Sequence, residues 1–223
     1  IFRLGITPSI VRLYDPTDTA FSLSSHFEID EGSCMLMLAF DGNRKQVELD
    51  ETVSTNICLA NGAQDFGESP TKRWWEHRYD MYYPTKFTTS GFTITDTIDI
   101  VATYDKLENV YLAMKEAMEA EEAIVLSHFS HMYQNGGSIY MIFFTSQPDG
   151  ETAWSKYKKI WDVGIVACLK EGGTMSHQHG VGLIRSTYTE DELGSSFQVL
   201  KKIKQVLDPN GIMNPGKLGL GVR

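Results

Sequence analysis

The sequence is short of the features that most often declare a function. It holds three cysteines in 223 residues, Cys34, Cys58 and Cys168, with no CxxC pair. Neither a disulfide framework nor a zinc knuckle follows from that spacing, and a reducing, cytoplasmic-type compartment is the expectation. Basic residues are outnumbered: 20 Lys and Arg against 29 Asp and Glu leave a net charge of −9. A nucleic-acid-binding surface would carry the opposite balance. No apolar run approaches the roughly 18 to 20 residues that a bilayer-crossing helix needs. No GxGxxG opens a helix after a strand, and GxxxxGK[ST] and GxSxG do not occur, so the chain carries no phosphate-cradling loop or nucleophile elbow of its own. It starts at Ile1 with neither a Met nor a signal-like segment, and reads as a piece of a longer protein.

What is present is a foldable chain. Apolar residues make up 42% and aromatics 11%, which excludes disorder and suffices for the core of one domain spanning 1–223. Alternation predicts strands at Ile10–Tyr14 and Phe92–Val101, the latter with one wet face, and the continuous apolar run Cys34–Phe40, ended by Asp41-Gly42, fits a buried strand. Asp15-Pro16-Thr17-Asp18 reads as a break after the first strand. Ala123–Tyr133 and Ser138–Thr145 pair around Gln134-Asn135-Gly136-Gly137, a hairpin signal. Helical spacing covers Arg44–Leu59, Pro70–Tyr82, Tyr104–Ala120, Glu151–Leu169 and about Glu190–Val206. The order predicts an α+β fold, an antiparallel sheet covered by helices on one side.

Two segments are dense enough to carry chemistry. Gly172-Gly-Thr-Met-Ser-His-Gln-His-Gly-Val-Gly182 packs two histidines and four glycines into eleven residues. Glycines let a backbone approach a planar ligand, and histidines two apart on an extended segment share a face. A metal is one use of such a pair, but Gln178 between them is a poor ligand. His128 and His131, three apart on the predicted strand, would face opposite sides and not both join. The bland reading is a Gly-rich loop with exposed histidines. The second segment, Leu207-Asp-Pro-Asn-Gly-Ile-Met-Asn-Pro-Gly-Lys-Leu218, is a rigid tail that can present Asn214 and Lys217.

Together the two segments resemble the C-terminal (cap) domain of FAD-linked oxidases of the vanillyl-alcohol-oxidase type. Within that family the longer match is to the alkyldihydroxyacetonephosphate synthases, through Pro8–Asp15, Trp75–Asp80, Asp96–Asp99 before Tyr104, and Tyr133–Tyr140. The resemblance implies that the N-terminal FAD-binding domain is a partner lying outside this chain. It also implies a small-molecule substrate with an anionic group, and it leaves a homodimer open. By position it puts the catalytic tyrosine at Tyr140 and the three-histidine motif on His177, Gln178 and His179. Arg78 falls on a substrate-contacting arginine, and Asn214 and Lys217 would face the FAD domain. Arg12, on a strand beside apolar residues, reads first as a salt-bridge residue and second as a substrate or flavin contact. A phenol ordinarily ionises near pH 10 and needs a neighbouring base or cation to act at neutral pH. Gln178 departs from the motif, because an amide cannot exchange a proton there. The 2-hydroxy acid dehydrogenase branch is the alternative. It resembles the same motifs but places a Glu and a metal-binding His where Gln178 and Tyr140 stand, so no metal is expected. A non-catalytic isolated domain is the remaining alternative.

Overall fold

A computed structural model describes residues 1–80 and 92–221. The elements run β1 (Ile10–Tyr14), α1 (Pro16–Leu23), β2 (Met35–Ala39), α2 (Arg44–Ala60), α3 (Ser69–His77), β3 (Phe92–Thr103), α4 (Tyr104–Glu119), β4 (Ile124–Phe129), β5 (Gly136–Gln147), α5 (Gly150–Lys170), α6 (Thr189–Leu193) and α7 (Ser195–Leu207). The strands form one antiparallel sheet in the order β2-β1-β4-β5-β3. This is the expected α+β class. The helix predicted over Pro70–Tyr82 ends earlier, at His77, and residues 81–82 of that prediction lie outside the described residues. Among the described residues no helix is long and apolar enough to cross a membrane.

One sheet face is covered by α4 and α5. Ile98, Ile100, Val125, Ile139, Met141 and Phe143 meet Val110, Met114 and Met118 of α4 and Ile160, Trp161 and Ile165 of α5, nearly all fully buried. Helical spacing of the α4 and α5 apolar residues creates the matching stripe. A lone carboxylate, Asp96, points into this face and is satisfied there by the Tyr157 hydroxyl (2.7 Å) and the Trp161 Nε1–H (3.1 Å).

The other face is only partly covered, and by an element the sequence reading missed. Asp15-Pro16-Thr17-Asp18 does not merely break β1; it starts α1. Asp15 is the N-cap, accepting from the Asp18 amide at 2.7 Å, and Pro16 occupies the first turn, where its missing N–H costs nothing. The other oxygen of Asp15 is held by Lys115 Nζ (2.7 Å) and the Tyr111 hydroxyl (2.9 Å) of α4, which pins the start of α1 to the helix layer. From there α1 crosses to the opposite face, where Leu23 packs with Tyr14, Met35 and Met37.

Two further expectations change. The final helix breaks at Gly194, whose φ of 52° and ψ of −129° belong to no helix, giving α6 and α7. Gly136 and Gly137 are not the hairpin turn but the first residues of β5. They are needed for close approach, since a Cβ on Gly136 would collide with the Ala102 carbonyl.

Candidate functional site

Strand register assembles the site. Met35, Tyr14, His128, Tyr140 and Asp99 are directly opposite one another in turn across all five strands. Opposed residues of antiparallel strands share a face, so this row lies on the face away from α4 and α5. A cavity of about 510 Å³ opens over it, lined among others by Arg12, His128, His131, Tyr140, Gln178 and, further along β5, Ile142 and Phe144.

Tyr140 stands in this row between His128 and Asp99. The His128 ring stacks on it at 4.8 Å and 19°, and the His179 ring meets it edge-on at 5.2 Å. On the β1 side, Arg12 Nη2 lies 2.8 Å from His128 Nε2, and His128 Nδ1 lies 3.2 Å from Asp18 Oδ2. A guanidinium only donates, so Nε2 is the acceptor and the ring proton sits on Nδ1, donated to Asp18. Burial pushes the His128 imidazole below its usual range. Asp18 pulls the other way, and the Arg12 charge adds to the lowering. Arg12 also lies over the rings of Trp74 (5.0 Å) and Tyr14 (5.5 Å). It makes no salt bridge among the described residues, contrary to the bland reading of its strand position.

On the β3 side the Gly-rich segment is not extended. It wraps around Asp99, whose Oδ2 accepts from the backbone amides of Gln178 (2.7 Å), His177 (3.3 Å) and His179 (3.4 Å). Three successive amides on one carboxylate oxygen form a nest. Arg185 completes it, donating to Asp99 Oδ1 at 3.0 Å, to Ser176 Oγ at 2.7 Å and to the Gly180 carbonyl at 3.0 Å. Both charged residues are 1% exposed. Burial alone would raise the Asp99 carboxyl, but the Gln178 amide, Arg185 and His179 outweigh it and hold it below the ordinary carboxylate range. Because the loop curls, the two histidines part. His179 reaches Tyr140 and lies with Nδ1 3.4 Å from Asp99, while His177 Nε2 meets the Tyr133 hydroxyl at 2.9 Å and its ring lies 5.0 Å from that of His131.

His128 and His131 both line the cavity, which corrects the expectation that they face opposite sides. The strand ends at Phe129, two residues before His131, so strict alternation does not reach it. Burial, with His177 and Arg12 nearby, also lowers His131. Arg78 lies at the end of α3, stacked on Trp75 (3.5 Å) and Tyr79 (4.4 Å), and is not among the residues lining the cavity. Asn214 and Lys217 are exposed on the tail, which docks through the Leu218 amide to the Gly182 carbonyl (3.2 Å), just past the histidine loop. Among the described residues no three His, Cys, Asp or Glu side chains converge as a metal site. Asp18, Asp99 and Arg185, which hold the site in shape, were not singled out by sequence.

The chain is thus an antiparallel sheet with one face covered by helices and the other carrying a tyrosine-centred cavity. Residues 1–218 match the family of FAD linked oxidases, C-terminal domain, and the chain belongs to that family. It is 26% identical over 96% of its length to alkyldihydroxyacetonephosphate synthase of Dictyostelium discoideum, of which it covers 39%. It is 27% identical, over 96% of its length, to the mitochondrial D-lactate dehydrogenase [cytochrome] of Arabidopsis thaliana, of which it covers 38%. A solved alkyldihydroxyacetonephosphate synthase superposes with a TM-score of 0.67 at 23% identity, over 96% of this chain and 41% of that one. Substrate-bound p-cresol methylhydroxylase gives 0.66 at 12% identity, over 95% of this chain and 47% of that one. Both likenesses are likenesses of fold. The chain spans about two fifths of the length of the curated relatives it matches. The resemblance drawn from the two C-terminal motifs is thereby borne out. FAD is the cofactor of this family, and two buried polar atoms at or beside the cavity fit a hydrogen-bonding ligand there. Arg12 Nε, in a residue of the cavity wall, and His177 Nδ1, in the loop beside it, are buried without a partner among the described residues.

Proposed function

We propose that this chain is the substrate half of an FAD-dependent enzyme of the alkyldihydroxyacetonephosphate synthase type, completed by an N-terminal FAD-binding domain. Its substrate is a small molecule with an anionic group. The observation that carries the reading is Tyr140 set between the His128 and His179 rings in the cavity that Arg12 also lines. FAD, when bound, supplies an electrophilic ring that can accept two electrons, and Asn214 and Lys217 on the tail are suited to face the domain that holds it. Arg12 binds the anionic end of the substrate. Tyr140 moves the proton, with the two imidazoles beside it as its polar partners. Gln178, in the cavity wall, orients the substrate by hydrogen bonds without exchanging a proton. Arg78, outside the cavity, contributes only if substrate extends past the end of α3.

The D-lactate dehydrogenase relatives favour a second reading, oxidation of a D-2-hydroxy acid. Against it stand Gln178 and Tyr140 at the positions where the dehydrogenase branch resembles this chain but carries metal-binding Glu and His. The full-length protein separates the two. Alkyl-for-acyl exchange without an electron acceptor supports the synthase type, whereas flavin bleaching by D-2-hydroxy acids supports the dehydrogenase. Neither activity supports a non-catalytic domain. On the favoured reading Tyr140→Phe lowers turnover by about 10²–10⁴-fold, with folding unchanged. Near-full turnover would remove Tyr140 from the mechanism.

A further inference from the structure

Arg12 spends its charge on an imidazole. Its Nη2 donates to the Nε2 lone pair of His128, and among the described residues its buried Nε has no partner and no carboxylate pairs with it. Arg12 is at the same time a residue of the cavity wall. An anion there would offer it a charge-assisted, two-pronged partner, which a neutral nitrogen cannot match.

We propose that an anion entering the cavity draws the Arg12 guanidinium away from His128, and that the vacated Nε2 takes up a proton from solvent. Anion binding and protonation of His128 are then one coupled event. The inference rests on the reading of Arg12 as the anion-binding residue and adds the proton to it.

The surroundings of His128 set the direction. Arg12 and Tyr14 face it from β1, Asp15 and Asp18 from the start of α1, and Tyr140 from β5. Without an anion, burial and the Arg12 charge keep the ring neutral against the pull of Asp18 and Asp15. Pairing Arg12 with an anion cancels its positive field and adds a negative one, while Asp18 still holds Nδ1–H. Both changes favour the imidazolium. Its two N–H groups are then satisfied, one by Asp18 and one by the anion.

The consequence falls on Tyr140. The His128 ring lies parallel to the phenol ring with centroids 4.8 Å apart, so a proton gained by one places a cation against the face of the other. A cation there stabilises negative charge developing on the phenol oxygen. Tyr140 is thus prepared for proton transfer when an anionic substrate is seated, and a neutral molecule of the same shape evokes no such change.

Sulfate is a suitable probe, because it remains a dianion from pH 6 to 9 and brings no titration of its own. Sulfate binding to the full-length protein, followed by calorimetry at pH 7.5 in two buffers of different ionisation enthalpy, is expected to take up a proton, approaching one per sulfate. Affinity is expected to fall, by at most about tenfold per pH unit, as pH rises through that range. His128→Gln keeps an acceptor for Arg12 and is expected to bind sulfate without proton uptake. Sulfate binding that is independent of both buffer and pH overturns the coupling and leaves the anion-binding reading of Arg12 standing. Uptake that persists in His128→Gln also overturns it. No sulfate binding, or binding unaffected by Arg12→Ala, overturns the Arg12 reading and the coupling together. The wild-type measurement decides the coupling even if the glutamine variant does not fold.

Discussion

Neighbouring residues of β5 face different environments. Met141 and Phe143 are fully buried against α4 and α5, while Tyr140, Ile142 and Phe144 line the cavity. The covered face is held by dispersion and apolar burial, terms that many aliphatic combinations satisfy. On the open face, beside the small apolar cluster under α1, two buried carboxylates on either side of Tyr140 set the polar geometry. Asp18 fixes the tautomer of His128, and Asp99 fixes the loop that brings His179 to Tyr140. The first kind of face tolerates substitution by shape. The second depends on which particular donor meets which acceptor, so its failures should show in chemistry as well as in stability.

Arg185→Met tests the second half of that contrast and carries the largest expected effect on stability. It leaves the Asp99 carboxylate buried without its cation and releases Ser176 and Gly180. Removing one partner of a buried pair costs about 3–5 kcal/mol. Turnover per folded molecule should also drop, because His179 loses its place at Tyr140. Denaturant titration paired with kinetics on the folded fraction measures both. Wild-type turnover per folded molecule would show that the loop clamp serves stability alone.

Ile139→Val tests the other half with a smaller change. Ile139 is fully buried on the helix side, next in sequence to Tyr140. Deleting one buried methyl group costs about 0.5–1.5 kcal/mol. The shift should appear in the denaturation midpoint with turnover unchanged. A changed turnover would mean that the two faces are mechanically coupled through the strand, and the contrast drawn above would fail.

The same contrast explains what the sequence discloses. The strands and the two covering helices are legible because their periodicity is local: Leu107, Val110, Met114 and Met118 announce the α4 stripe without reference to anything else. The start of α1 is obscured because Asp15-Pro16 is equally good chemistry for ending a strand and for capping a helix. The two C-terminal motifs and Tyr140 are legible through the family they resemble. The partners that shape the site are not, since Asp99 and Arg185 lie 86 residues apart and Asp18 and His128 lie 110 apart. They become neighbours only in the folded chain, where α1 brings Asp18 to β4 and the chain just past the Gly-rich loop brings Arg185 to β3. His131 is misjudged for a related reason: alternation predicts orientation within a strand, and β4 ends before reaching it.

The smallest expected effect comes from pH, and it again divides the faces, since the titrating histidines of the site lie on the open side. His128 and His131 are both lowered, chiefly by burial. Their folded-state values therefore lie below the unfolded value of about 6.5. As pH falls below that value the unfolded chain takes up protons first, so the unfolded state gains. The stability due to keeping these rings neutral is complete above about pH 6.5 and is lost as pH falls through the folded-state values. Asp99 is lowered too, but its contribution holds until pH falls below about 4, near the unfolded carboxylate value, so the two losses occupy separate windows. Denaturant midpoints of the full-length protein between pH 8 and 5 should be level at first and then decline. A profile that stays level down to pH 5 would mean that these imidazoles take up protons in the fold as readily as in the open chain, and that the open face does not hold them neutral.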